Sequence, residues 1–376
     1  MQNIKYIIHY DINNDEGRSF TLSAVNKANY IIRALNDIGY DVDIVSASLT
    51  SSKKRIKGSK TKLSENVSLT KLPAVKVGKG IRKIPAFLWR NIAMLIFLVF
   101  NTKRNEEIIV YHSLALMRGI KWAKRLKGFK LILEVEEIYN DVIKKSEKQR
   151  KKEIDFIGIA DKYIFPTEML NECLNKGSKP YTVIHGTYQT EPDRGERFGD
   201  DKIHVLYAGT LDTRKGGAAA AAETAAFLPD NYHIHILGFG GTEDVKNIKQ
   251  IIENAGKKTK ALVTYDGLLS GEDYIRFLQK CQIGLSTQNP YADFNATSFP
   301  SKILSYMANG LRVVSIRIPV VESAAIGGDM YYYNEQTPNK IAEAITAVDF
   351  NDEYDSRKKI KELDLEFKKA LEEFLG

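Results

Sequence analysis

From residue 4 to residue 348, short apolar runs alternate with stretches in which apolar residues return every third or fourth position, and that alternation leaves few folds open. Residues 4–10 read as a buried strand. Behind them Ala24, Ala28, Ile31, Leu35 and Ile38 repeat at helical spacing, and Gly39 stands where a glycine closes a helix. Strands at 42–45, 107–111, 130–135, 162–165 and 181–184 follow, separated by helices at 116–126, 144–152 and 167–174. Strand–helix–strand order of this kind predicts an α/β protein built on parallel sheets with crossover helices.

The pattern breaks once and then begins again. Residues 186–202 are polar and turn-rich, with Pro192, Gly195 and Gly199, and read as a linker. A second series follows, with strands at 203–207, 233–237, 262–264, 283–286 and 312–315. Its helices fall at 217–227, 243–253, 271–280, 300–308 and 338–348. A chain of 376 residues is too long for one ordinary core. The expected organisation is therefore an N-terminal domain over 1–187, a linker over 188–202, a second domain over 203–348 and a C-terminal helix over 349–376. Ile360, Leu363, Phe367, Leu371 and Phe374 place an apolar stripe on that last helix, which must dock, and the expectation is that it returns toward the N-terminal domain. Two Rossmann-like halves with a cleft between them are the economical arrangement. Ligands of open parallel sheets bind beyond the carboxyl ends of the strands, so the informative residues are those that follow strands.

Charge is the next constraint. The net charge is +8, yet eleven Lys and Arg and a single acid, Glu65, fall within 51–83, so the rest of the chain is close to neutral. This segment contains no Phe, Tyr or Trp, hence no platform for stacking bases, and nucleic acid is not an expected partner. An apolar run over 92–100 follows it, too short to span a bilayer by itself. Two readings of 51–100 stand side by side: a helix lying on an anionic membrane surface, or a buried helix beside a mobile, solvated basic loop. The opening residues lack the charged start of a signal peptide, and two cysteines, Cys173 and Cys281, fit a reducing compartment. A cytoplasmic protein, peripheral on the inner face of the plasma membrane under the first reading, is the expectation. No group of His, Cys, Asp or Glu has ligand spacing, so no metal or other cofactor is expected.

Five post-strand loops carry candidate chemistry. Gly209-Thr210 opens a loop that runs through Arg214 and Lys215 into a helix, where glycines admit a phosphate and the cations supply charge; a tight solvated turn uses the same residues. Thr297-Ser298-Phe299-Pro300-Ser301-Lys302 opens another helix, with hydroxyls able to cap free amides. Gly238 begins a strand–turn that lacks the full dinucleotide fingerprint. His112 ends a strand, as a structural residue or as an acid, base or ligand. Gly17-Arg18 follows the first strand, as an approach loop or as plain surface. Glu134, Glu136 and Glu137 read chiefly as a solvated charge cluster.

Residues 205–321 resemble the GT-B retaining glycosyltransferases, the large group that includes bacterial polysaccharide and lipid-glycan enzymes. VLYAGTLDTRKGG is similar to that family's Lys-Gly donor loop, IHILGFG to its second strand–turn and FNATSFPSKILSYMANGLRVVS to its donor loop and helix. VTYDGLLSGEDYIRFLQKCQIGLS is similar to its base-binding loop. In the N-terminal half YHSL, ADKYIFPTEMLNECL and YTVIHGTY resemble further landmarks, with His185-Gly186 where Asn-Gly is usual.

The resemblance implies a GT-B fold, an α/β arrangement of two Rossmann-like domains whose parallel sheets face a central cleft. It implies transfer of a sugar from a UDP- or GDP-sugar to a glycan or lipid-linked acceptor in cell-surface polysaccharide or glycoconjugate synthesis, with retention and without metal. Lys215 and Arg214 would bind the donor diphosphate, Leu268, Leu269 and Ser270 would border the base, and His112 would contact the sugar. Gly17 and Arg18 would lie on the acceptor side of the diphosphate, and Gly209, Thr210, Gly238, Ser298, Phe299, Ser301 and Lys302 would line the donor site. The family's paired glutamates fall on Thr297 and Ser305, and Ser305 is too short to grip ribose hydroxyls in the same way. That departure keeps open a non-catalytic sugar-nucleotide-binding subunit and a GT-B sugar-nucleotide epimerase.

Overall fold

The computed structural model describes the chain except residues 1, 12–15, 54, 144, 214–215 and 292–295. The chain divides into two compact units: Met1–His185 together with Phe367–Gly376, and Gly186–Glu366.

Unit 1 carries strands β1 (Gln2–Ile8), β2 (Tyr40–Ser46), β3 (Ser59–Lys62), β4 (Val67–Lys71), β5 (Glu107–Tyr111), β6 (Lys130–Glu134), β7 (Lys162–Phe165) and β8 (Tyr181–Val183). They form one sheet in the order β3-β4-β2-β1-β5-β6-β7-β8, parallel throughout except for β3, which runs antiparallel at the edge. Its helices are α1 (Leu22–Asp37), α2 (Ile84–Asn101), α3 (Met117–Lys127), α4 (Tyr139–Val142), α5 (Glu147–Ile157) and α6 (Glu168–Leu174). A near-continuous apolar strand such as β5, buried on both faces, is what a parallel sheet covered by crossover helices demands. Ile108, Val110, Leu131 and Leu133 from the sheet pack with Met94, Leu98, Ile120 and Phe156 from α2, α3 and α5.

Unit 2 carries β9 (Ile203–Thr210), β10 (Tyr232–Phe239), β11 (Leu262–Gly267), β12 (Ile283–Ser286), β13 (Arg312–Ile316) and β14 (Tyr331–Tyr333), all parallel in the order β11-β10-β9-β12-β13-β14. Its helices are α7 (Gly217–Thr224), α8 (Thr242–Gly256), α9 (Gly271–Lys280), α10 (Lys302–Ala308), α11 (Pro319–Glu322) and α12 (Pro338–Thr346). The last helix, α13 (Ser356–Leu375), starts in unit 2 and ends in unit 1. Arg357 ties its start to the carbonyls of Glu191 and Asn309, at 3.0 and 2.7 Å. At its other end Phe367 meets Tyr30, Lys368 pairs with Asp37 at 2.8 Å, and Lys162 Nζ donates to the Phe374 carbonyl at 2.7 Å.

Several expectations change. The basic stretch 51–83 is not a mobile solvated loop, because β3 and β4 lie within it and β4 pairs in parallel with β2 from Val42↔Val67 to Ser46↔Lys71. Part of its charge is neutralised internally. Lys71 pairs with the buried Asp11 at 2.8 Å, and Asp43 accepts from Ser68, Thr70 and Lys60 at 2.9, 3.0 and 3.3 Å. Reading the segment by its charge hid the alternation of Val67, Leu69 and Lys71. The helix expected from 300 begins at Lys302, and the charged helix expected over 144–152 runs from Glu147 to Ile157. Strand β14 and the short α11 had no counterpart in the sequence reading.

Helix α2 is longer than the apolar run that announced it. Within Gly80–Asn101 an 18-residue window has a mean hydropathy of 1.6 and meets the length and composition of a membrane span, with 28 % of that window buried. Ala86, Arg90, Ala93, Met94 and Leu98 face the unit's interior, while Ile84, Leu88, Ile92, Ile96 and Phe100 repeat every fourth residue on the exposed side.

One packing detail fixes the middle of unit 2. Tyr306 of α10 is fully buried, and its hydroxyl accepts from the Ala208 amide at 2.8 Å and donates to the Leu285 carbonyl at 3.3 Å. It passes directly over Gly284, where an added Cβ would come within 2.8 Å of the Tyr306 Cβ and overlap its ring. Gly284→Ala should therefore destabilise unit 2 by about 1–3 kcal/mol through overpacking. Urea unfolding followed by fluorescence reads the shift, and an unchanged midpoint would refute the packing argument.

Candidate functional site

Strand order reverses at one place in each sheet, and loops that leave in opposite directions open a crevice there. In unit 1 the reversal lies between β1 and β5, which pair over Lys5↔Ile108, Tyr6↔Ile109 and Ile7↔Val110. A cavity of about 360 Å³ opens there, lined in part by His9, Ser19, Thr21, Tyr111, His112 and Tyr139. His112 directly follows β5, as the sequence placed it. Its ring stacks on Tyr139 and Phe156, with centroids 5.3 and 6.1 Å away, and Glu153 Oε1 lies 3.6 Å from its Nε2. Neither ring nitrogen has a hydrogen-bond partner among the described residues, and burial holds the imidazole down to about 4. His9, directly after β1, is likewise held to about 4, by burial and then by the Arg90 guanidinium. Sequence reasoning passed over His9 by counting it into the strand. The rule that singled out His112 applies equally to it.

Of the three carboxylates expected in solvent, Glu134 is buried and Glu136 and Glu137 are half-buried. Glu134 is fully buried against the Tyr6 hydroxyl, and Lys27 bridges Glu136 and the Ile184 carbonyl. Burial, then the neighbouring Glu136, raises the Glu134 carboxyl well above the usual range. Gly17 adopts φ 56°, but the Arg18 side chain is buried, paired with Glu16 at 2.5 Å and anchored near the Ser48 carbonyl. Glu16 and the Ser48 carbonyl engage two of its nitrogens, while Nη2 is buried with no hydrogen-bond partner among the described residues. His185 bonds the Pro166 carbonyl at 2.7 Å.

In unit 2 the reversal lies between β9 and β12, paired only over Ile283↔Val205 and Gly284↔Leu206. Gly209 and Thr210 end β9, and Gly238 near the end of β10 packs so closely that a Cβ would overlap the Gly209 carbonyl. Its φ of 153° is closed to most side chains. Gly217, the first residue of α7, is equally tight, with Tyr207 Oη 2.9 Å from where a Cβ would stand, and its carbonyl accepts from Thr287 at 2.7 Å. Lys302 brings its ammonium to this edge, 4.1 Å from the Tyr207 ring centroid and beside Gly209. Close-packed backbone at a strand reversal, with one described cation beside it, suits an anionic ligand.

The remaining candidates spread around it. Phe299 is buried, Thr297 and Ser298 are half-buried, and Ser301 is exposed at the start of α10 with no side-chain capping bond. Leu268 and Ser270 are exposed and Leu269 half-buried in the β11–α9 loop. Ser305 is hydrogen-bonded to the Tyr274 phenol. Arg214 and Lys215 lie outside the described residues.

A third group was not anticipated, since linear spacing showed no metal ligands. His204 of β9 and His233 and His235 of β10 converge, each offering a nitrogen within 4.8 Å of the others. His204 and His233 are register partners across the two strands, and His235 shares the face of His233. Residues 29 and 31 apart meet because a crossover returns one strand beside the other.

No family model matches the sequence, and no curated protein does. Solved structures do match along its whole length. An Escherichia coli protein described as trehalose-6-phosphate bound with UDP-2-fluoro glucose superposes with TM-score 0.69 at 12 % identity, covering 100 % of this chain and 98 % of the other. Sucrose-phosphate synthase from Thermosynechococcus elongatus gives 0.66 at 14 % identity over 100 % and 99 %. A UDP-forming trehalose-phosphate synthase from Burkholderia xenovorans in complex with glucose-6-phosphate gives 0.65 at 10 % over 100 % of each chain. The chain has the GT-B fold, as the motifs implied.

The buried imidazoles set a pH dependence. His9 and His112 titrate near 4 in the folded protein against an ordinary 6.5, so between these values the unfolded chain binds more protons. Stability should be intact above pH 6.5 and fall as pH drops toward 4, by about 1.4 kcal/mol per pH unit for each histidine. Urea melts at pH 7 and pH 5 measure this. His112→Gln should flatten the dependence, and an unaltered slope would remove His112 from the account.

Proposed function

We propose that this protein is a retaining glycosyltransferase that moves a sugar from a nucleoside diphosphate donor to a glycan or lipid-linked acceptor in building a cell-surface polysaccharide or glycoconjugate. The observation that carries the reading is the β9–β12 crevice. Gly209, Gly217 and Gly238 bring bare backbone together there, and Lys302 sets a cation beside it. A diphosphate is the ligand that such an edge suits. Breaking the anomeric C–O bond moves charge onto the departing diphosphate, and preorganised cations stabilise that charge. Lys302 supplies one, and Arg214 and Lys215 supply others by their place in the sequence. The charge is met by side chains, without a metal at the reacting centre. Structural relatives support a UDP-sugar: one is bound with UDP-2-fluoro glucose, another is UDP-forming, and a third concerns glycosyl transfer with retention.

The β1–β5 cavity is the acceptor's place in this reading. Tyr139 and Phe20 offer apolar faces, Ser19 and Thr21 offer hydroxyls, and neutral His9 and His112 accept hydrogen bonds from sugar hydroxyls. Thermal-shift screening against UDP-, GDP-, ADP- and dTDP-sugars identifies the donor, and transfer and donor-hydrolysis assays follow on the hits. Lys215→Ala and Lys302→Ala should each lower turnover at least tenfold while leaving the melting curve unchanged. Full turnover in both would sink the assignment. Thr297 and Ser305, standing where the family's paired glutamates fall, favour a second reading, a sugar-nucleotide-binding subunit without catalysis. Donor binding with neither transfer nor hydrolysis is its signature.

The work site is proposed to be the cytoplasmic face of the plasma membrane. Along α2, Ile84, Leu88, Ile92, Ile96 and Phe100 form an exposed apolar stripe, preceded by Lys79, Arg82 and Lys83. The neighbouring α3 exposes Trp122 and Leu126 among Arg118, Lys121 and Arg125. Met94 and Leu98 hold the helix in the core of unit 1, so it would lie in the lipid interface and not cross it. The triple change Leu88→Asp, Ile92→Asp, Ile96→Asp should abolish cosedimentation with phosphatidylglycerol vesicles and leave donor binding intact. Unchanged cosedimentation would detach α2 from the membrane.

A further inference from the structure

At the end of unit 2's sheet opposite the β9–β12 crevice, the histidine cluster forms a site that glycosyl transfer does not use. The His204 Nδ1 and His235 Nε2 atoms face each other at 2.9 Å. The far nitrogen of each ring is already committed to a carboxylate: His204 Nε2 to Asp200 Oδ1 at 2.7 Å, and His235 Nδ1 to Asp266 Oδ2 at 3.2 Å. A carboxylate only accepts, so each far nitrogen carries the proton. Both inner nitrogens are then left with lone pairs pointing at one another. Two opposed lone pairs at this distance repel unless something positive lies between them: a shared proton, or a metal ion.

We propose that His204, His233 and His235 bind a divalent transition-metal ion of the zinc class, which ties the amino-terminal ends of β9 and β10 together.

Four features favour the ion. The donors are three imidazole nitrogens, the set preferred by zinc and its neighbours over magnesium or calcium. Ligands about 2.0–2.1 Å from a tetrahedral ion stand roughly 3.3 Å apart, so the His204–His235 gap need widen by only a few tenths of an ångström. Carboxylates behind two of the imidazoles fix tautomer and ring orientation, the usual outer shell of a histidine metal site. The third histidine is tethered in the same way: His233 Nε2 lies 3.0 Å from Thr264 Oγ1, which donates to Asp266 at 2.9 Å.

The surroundings are shaped for it as well. Phe198 stacks on His204 and His235, with centroids 4.0 and 4.9 Å away, and Phe277 meets His235 edge-on at 5.1 Å. One side of the cluster is thus dry, while half-buried His233 leaves the other open to an entering ion and to a water as fourth ligand. β9, one of the two strands joined here, borders the crevice at its other end, so an ion would brace the donor half of the fold without touching its ligand.

The test uses tag-free full-length protein, dialysed against chelator and then titrated with zinc chloride, or with cobalt chloride as a spectroscopic probe. Expected are one zinc per chain with a dissociation constant of micromolar or tighter, a melting temperature raised by several degrees, and cobalt d–d bands of tetrahedral intensity. His233→Gln, at the half-buried position, should fold and lose at least a hundredfold in affinity, and His235→Gln should lose the zinc-dependent rise in melting temperature. Should His235→Gln fail to fold, His233→Gln and the wild-type cobalt spectrum decide. No binding at 100 µM zinc would overturn the proposal, as would affinity unchanged in His233→Gln, which would mark an adventitious ion only. Nitrogen-15 NMR showing an imidazolium at the His204–His235 pair at pH 7 with zinc present would assign the gap to a proton and also overturn it. None of these readouts depends on transferase activity, so the site stands or falls apart from the proposed function.

Discussion

Parallel strands can be joined only by crossovers, and crossovers of one hand force a sheet that grows in both directions to reverse its order somewhere. In this protein that constraint falls between β1 and β5 and between β9 and β12. The pairing thins at both: three register pairs join β1 to β5 and two join β12 to β9, against eight between β9 and β10. Where the ladder ends early, backbone groups need other partners. Tyr306 meets this need in unit 2, its hydroxyl standing between the Ala208 amide and the Leu285 carbonyl where the strands no longer bond each other. A side chain from α10 thereby sets the width of the crevice that Lys302, from the same helix, flanks with charge. His9 and His112 in unit 1 owe their proximity to the same parting of strands.

Much of this was legible in the sequence, because the two periodicities that define α/β proteins are strong here. Apolar runs such as 107–111 and 283–286 could be little else than buried strands. His112 and Gly209 were found by one rule, that ligands gather past the carboxyl ends of strands. What could not be read was tertiary. Glu134 looked solvated because charge in sequence says nothing of a Tyr6 placed two strands away. The burial of Arg18 beside Glu16 and the Ser48 carbonyl was equally out of sight. The histidine cluster was invisible for the same reason: 29 residues separate His204 from His233, and only the β9–β10 register makes them neighbours.

The basic stretch shows how a compositional reading misleads when it is nearly right. Its lysines are many, but Asp43 and Asp11 sit under them, and the polar groups of β4 close around Asp43 as a shared acceptor. Those two carboxylates are what allow so charged a segment to serve as a sheet edge. Lysines on an edge strand also discourage pairing with another chain, which suits β3 at the open side of the sheet.

The two faces of α2 have a consequence for timing. Proteins that visit a surface on demand usually keep the adhesive element sheathed and release it when signalled. Here the inward residues Met94 and Leu98 are part of the hydrophobic core, so the helix cannot rotate or retract without unpacking the unit that bears it. Its outer apolar row is accordingly on display whenever unit 1 is folded. An apolar surface that met that row would need no unmasking step to reach it.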